Sequence, residues 1–84
     1  MRYEYDSEAD ALYIYLPPEG RLYDYGHDLD AERRIDYAKD GAPIGIELLC
    51  VSHGVKLDDL PARETVRQIL SKLTFPAYEE RSLR

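Results

Sequence analysis

Asp6, Glu8 and Asp10 place three carboxylates at alternate positions. That is the opening spacing of a calcium-binding loop, in which such acids supply the first oxygen ligands. The remainder of the loop is missing: its sixth position requires glycine and is Ala11, and its twelfth requires a carboxylate and is Pro17. Turn chemistry explains the spacing better, with Asp6 and Asp10 accepting backbone N–H groups at a strand exit. A fourth acid, Glu47, interrupts the apolar run 43–51. A carboxylate buried there must be paired or hydrogen-bonded. Arg33 or Arg34 on the preceding strand could pair with it. Alternatively, Glu47 could join Asp6 or Asp10, and crowding would then raise one carboxyl pKa toward the range useful for general acid–base catalysis.

No nucleophile–base pair, metal triad or glycine-rich phosphate loop accompanies these acids. The structural salt bridge is therefore the preferred reading. Asp6, Asp10 and Glu47 stand as a candidate acid cluster, while no catalytic, metal or cofactor site is assigned. His27 and His53 are each isolated, without a second ligand at zinc spacing. Cys50 is the single cysteine; it excludes an internal disulfide, fits a reducing cytoplasm, and reads as a small core residue in an apolar strand.

The elements that must position these residues follow from periodicity. Residues 2–6 alternate charged Arg2, Glu4 and Asp6 with Tyr3 and Tyr5, the period of a half-buried strand. Residues 7–10 turn the chain. Residues 11–16 form a strand with Leu12, Ile14 and Leu16 on one face and Tyr13 and Tyr15 on the other. Pro17 and Pro18 end it, since neither can donate to a ladder. Residues 22–25 predict a short strand, 28–31 a turn, and 33–37 a further strand. Lys39-Asp40-Gly41-Ala42 predicts a hairpin turn with Gly41 at positive φ. In the run 43–51, Gly45 marks a bulge or a close backbone approach.

The period then changes. Asp58 or Asp59 is the expected helix cap, with Pro61 in the first turn. Val66, Ile69, Leu70 and Leu73 form one buried stripe, and Pro76 stops the helix. The expectation is a single domain spanning 1–84 in the α+β class. An antiparallel β-sheet meander of four to five short strands (core about 2–52) is followed by one C-terminal α-helix (about 60–73) packed on one face, and by a polar, mobile tail (74–84). If the helix covers the Leu12, Ile14 and Leu16 face, the tyrosine face stays open to a partner. Tyr13, Tyr15, Tyr23 and Tyr25 are the interface candidates.

Composition narrows the partner. The chain carries eight tyrosines, one phenylalanine and no tryptophan, and tyrosine suits a half-buried sheet or an interface. Net charge is −6, unevenly spread: residues 1–60 hold 14 acids and 6 bases, whereas residues 61–84 hold 3 acids and 5 bases. An acidic body argues against nucleic acid, whose phosphates need a basic face, and favours a basic protein partner. A chain this short gains apolar burial by self-association, so a homodimer is also expected. No stretch is long enough to span a membrane. The N-terminus reads as a strand rather than a signal peptide, so a cytoplasmic protein is the expectation.

The motif Tyr5-Asp6-Ser7-Glu8-Ala9-Asp10-Ala11-Leu12-Tyr13-Ile14, with Asp40-Gly41 and then Ile44-Gly45-Ile46-Glu47-Leu48-Leu49, resembles a bacterial family of domains of unknown function, DUF2283, over about residues 3–52. The resemblance implies a small, mostly β cytoplasmic domain. It also implies, for some members, an antitoxin-like pairing with small ribonuclease-like toxins. Arg33-Arg34 departs from the apolar strand start usual in that family, and the segment after residue 55 extends beyond its common core. The leading expectation is a non-enzymatic protein-binding module, antitoxin-like in kind. The alternatives are a small hydrolase or metal-dependent enzyme using the clustered carboxylates, and a homodimer with no intrinsic activity.

Overall fold

The structure, a computed structural model, describes residues 1–80. Strands β1 (Tyr3–Asp6) and β2 (Ala11–Tyr15) form one hairpin, while β3 (Tyr23–Asp30), β4 (Arg33–Ala38) and β5 (Pro43–Leu49) run up and down in succession. The two units join where β2 pairs with β5, giving one antiparallel sheet in the order β1-β2-β5-β4-β3. A 3₁₀ turn (Val51–His53) leads to β6 (Val55–Lys56), helix α1 (Arg63–Lys72) and β7 (Ala77–Tyr78). β6 and β7 pair in parallel as a separate ribbon. The α+β class and the single C-terminal helix agree with the sequence reading.

Register explains which side of the sheet is buried. Leu12 faces Leu48 and Ile14 faces Ile46 across β2 and β5, so a continuous aliphatic stripe crosses the sheet centre. All four side chains are fully buried, each removing apolar area worth about 1.5–3 kcal/mol. Val55, Leu57, Leu60, Val66, Ile69 and Leu70 from the C-terminal segment complete that core. Tyr3 and Tyr5 of β1 also pack against it, with the Tyr5 ring 5.1 Å from that of Phe75.

Several elements differ from the sequence reading, each for an identifiable reason. β3 runs on to Asp30 and turns only at residues 31–32, because Asp28 and Asp30 lie opposite Arg34 and Arg33 and extend the ladder. β5 ends at Leu49, where Cys50 enters the left-handed region (φ 56°); Cys50 is exposed rather than part of the core. α1 begins at Arg63 after Ala62, itself left-handed (φ 52°), with no side-chain cap. Asp58 is not the cap; its buried carboxylate accepts the backbone N–H of Glu80.

Residues 74–80 are not a trailing tail. Pro76 and Tyr78 accept backbone N–H groups from Val55 and Leu57, which folds the chain back as β7. Residues 81–84, the end of the expected mobile tail, lie outside the described residues.

Arg33 joins the sheet to this C-terminal segment. Only 7% exposed, it donates to the backbone carbonyls of Lys56 (3.0 Å) and Asp58 (2.6 Å) and to the Asp30 carboxylate (2.8 Å). Guanidinium suits this place because several donors leave it in one plane.

Candidate functional site

The face of the sheet turned away from the aliphatic core is polar and aromatic. In register across it lie Glu4, Tyr13, Glu47 and Arg34, and, one pair along, Tyr15, Gly45 and Asp36. The Tyr13 hydroxyl donates to Asp36 (2.8 Å). Arg34 donates to the other Asp36 oxygen (3.2 Å) and to the Tyr23 hydroxyl (3.0 Å), and reaches Asp28 at 3.8 Å. Tyr15 donates to Glu4 (3.0 Å), and the Arg2 guanidinium lies 3.6 Å from its ring centre.

Two glycines make this flat network possible. A Cβ on Gly45 would lie 1.8 Å from the Tyr13 hydroxyl, and one on Gly26 would lie 2.2 Å from the Arg34 guanidinium. Tyr13 and Arg34 therefore lie down across the sheet, each over a bare stretch of backbone, and cover the strand where a side chain is missing. Burial, and then the bond to Asp36, push the Tyr13 phenol pKa up. The Tyr15 phenol is pushed up chiefly by its bond to Glu4. Both stay protonated and donating at neutral pH.

The three acids of the candidate cluster are placed differently from one another. Asp6 accepts the backbone N–H groups of Glu8 (3.0 Å) and Ala9 (3.3 Å), holding the β1–β2 turn. Asp10 accepts the Ser52 hydroxyl (2.7 Å), the Ser52 N–H and the Tyr5 hydroxyl (2.9 Å), fixing that turn to the 3₁₀ turn that follows β5. The Ser52 hydroxyl bond leads the lowering of the Asp10 carboxyl pKa, against a smaller opposing effect of burial.

Glu47 is exposed on the open sheet face rather than buried in an apolar run. It is opposite Arg34 in register, yet no ion pair joins them, since Arg34 is engaged by Asp36, Asp28 and Tyr23. Arg33 is likewise committed to Asp30. Asp6 and Glu47 line one shallow depression of about 200 Å³ together with Glu4 and Tyr13; Asp10 does not line it. Among the described residues, no group of three or more His, Cys, Asp or Glu could hold a metal ion.

Of the four interface tyrosines, Tyr23 and Tyr25 are exposed and Tyr13 and Tyr15 half-buried, their rings in edge contact at 4.8 Å. Tyr25 stacks on Tyr37 at 5.1 Å. Sequence reasoning missed Asp36 and Arg34 as the hub of this surface. Gly45 was the available signal, because it promised a close approach without saying to which side chain. Cys50 is no activated thiol: a bond to Glu32, followed by desolvation, pushes its pKa up, the reverse of what a nucleophile requires.

No helix among the described residues is long and apolar enough to cross a membrane. Comparison with known proteins finds no matching curated protein and no matching solved structure. The profile of one family, described as a protein of unknown function (DUF2283), matches residues 2–52, the whole five-stranded sheet and its exit. The chain belongs to the DUF2283 family, and the segment that covers its aliphatic face lies beyond the matched region.

Proposed function

We propose that this protein is a non-enzymatic protein-binding module whose contact surface is the open sheet face. One observation carries the reading. A face of five strands is left uncovered by the helix, yet is preorganised by the Tyr13–Asp36–Arg34–Tyr23 network. Fixed tyrosine rings lose little entropy on binding and supply both apolar area and hydroxyls. The acids Glu4, Asp6, Asp28, Asp36 and Glu47 share this surface with the bases Arg2 and Arg34, so its charge complements a basic protein.

An antitoxin-like role beside a small basic toxin, in the cytoplasm of a bacterium, is the form of this reading that the family resemblance suggests. A homodimer through the same face is the competing form; it is opposed by acid meeting acid across the two-fold axis.

The test is a pull-down on the immobilised full chain at low salt, with a Glu4→Lys/Glu47→Lys variant in parallel and the free chain checked by sedimentation. Basic proteins captured by the parent and lost by the variant are expected, with the free chain monomeric. An empty pull-down, or capture indifferent to the double reversal, overturns the proposal.

A further inference from the structure

The sheet has two free edges of unequal character. β1 offers four residues, whereas β3 offers eight and is the longest strand among the described residues. A free edge presents unpaired N–H and C=O groups and can template a further strand. Three of the six large exposed hydrophobic residues among the described residues, Leu22 (85% exposed), Tyr23 and Tyr25, are gathered at the start of β3. Exposed aromatic and aliphatic side chains concentrated on an edge mark a place where another chain packs.

Charge decides which chain. β3 carries Asp24, Asp28 and Asp30 and no Lys or Arg. Asp30 is tied to Arg33 and Asp28 lies 3.8 Å from Arg34, while Asp24 makes no ion pair among the described residues. A second copy pairing antiparallel on this edge meets its own acids. Counted about Gly26, Asp24 falls opposite Asp28; counted about His27, it falls opposite Asp30. Like charges directly across a ladder are destabilising, so the strand is guarded against itself. Irregularities next to Tyr23 and Asp30 leave residues 25–28 as the regular stretch on which a short strand can align.

We infer that the β3 edge takes up a short extended segment of a basic protein as a sixth strand, with Lys or Arg side chains meeting Asp24 and Asp28 and an apolar side chain packing on Leu22 and Tyr25. This inference rests on the protein-binding reading above and names its point of entry. The aspartates that turn away a second copy are the same groups that admit a chain of opposite charge.

The experiment uses the full chain and three blocked nine-residue peptides. One alternates lysine with valine and threonine, one replaces each lysine by glutamate, and one repeats the basic sequence with alternate backbone amides N-methylated. Backbone amide NMR and hydrogen exchange are followed on titration. The basic peptide is expected to shift residues 23–28 and to slow their exchange. The acidic and N-methylated peptides should bind at least tenfold more weakly. An Asp24→Lys/Asp28→Lys variant, checked for an unchanged fold by its remaining amide spectrum, should also lose about tenfold.

Equal binding of the N-methylated peptide, or shifts confined to Tyr13, Tyr15 and Glu47, overturns strand addition while leaving the open-face reading intact. No binding of the basic peptide at millimolar concentration also overturns it. The pull-down on the whole chain judges the broader proposal separately.

Discussion

Replacing Arg33 by methionine tests the tie between the family sheet and the C-terminal segment. Methionine keeps the unbranched stem and much of the packing volume, so the perturbation falls mainly on the guanidinium. Three bonds are lost, to the carbonyls of Lys56 and Asp58 and to the Asp30 carboxylate. Asp30 is 42% exposed and regains water, so its ion pair counts for little. The Asp58 carbonyl bond is buried and the Lys56 bond partly so. A buried acceptor left without a donor costs about 1–3 kcal/mol, and two of them, one partly rescued by water, give roughly 2–4 kcal/mol.

A domain of this size has a total stability on the order of 5–10 kcal/mol, so the loss is a large fraction of it. At about 4–8 °C per kcal/mol, the midpoint should fall by roughly 10–25 °C. Urea unfolding of parent and Arg33→Met gives the free-energy difference directly. Native-state hydrogen exchange adds location: the amides of Val55 and Leu57, which bond to Pro76 and Tyr78, should be deprotected before those of β2 and β5. A loss below about 0.5 kcal/mol, or uniform deprotection across the molecule, refutes the reasoning.

The two glycines under the polar network should behave unequally. Gly45→Ala drives a methyl group into the Tyr13 hydroxyl and ring and should cost about 1–3 kcal/mol by chemical denaturation, recovered in part by adding Tyr13→Ala. Gly26→Ala meets only the end of the flexible Arg34 side chain and should cost less than half as much. Asp10 carries a lowered carboxyl pKa, so its stabilising bonds are fully present above the unfolded value of 3.8 and are lost as pH falls through the lower folded value. Melting temperature followed from pH 6 down to about pH 2 should fall less steeply for Asp10→Asn than for the parent. Leu70→Ala, at a fully buried helix position, should cost about 2–5 kcal/mol, detected as a shifted urea midpoint with unchanged slope.

Much of the architecture is legible in the amino-acid sequence alone. The period of two in residues 11–16, the prolines after it, the Asp40-Gly41 turn and the stripe Val66, Ile69, Leu70 reflect local physics: alternation, missing donors, positive φ and helical spacing. Those signals are carried by neighbours in the chain and need no knowledge of what lies opposite. The acids were harder. Asp6 and Asp10 could be read as turn residues, and Asp6 serves its own turn, but the Asp10 partner Ser52 lies 42 residues away.

Glu47 looked buried because its neighbours are apolar, yet period two turns it to the exposed face while Ile46 and Leu48 turn inward. Cys50 looked buried for the same reason, yet its own left-handed backbone ends the strand at Leu49 and leaves the thiol exposed.

The order of residues along the chain determined the strands, the helix, the hairpin turn and an acidic, tyrosine-rich character, because each arises from side chains within a few positions of one another. Only the folded arrangement decided which charge meets which. Arg34 turns to Asp36 rather than Glu47, Arg33 reaches across to Lys56 and Asp58, and β3 is left as the long free edge. Strand order and register set these outcomes, since pairing β2 with β5 brings together residues whose separation in sequence carries no local signal.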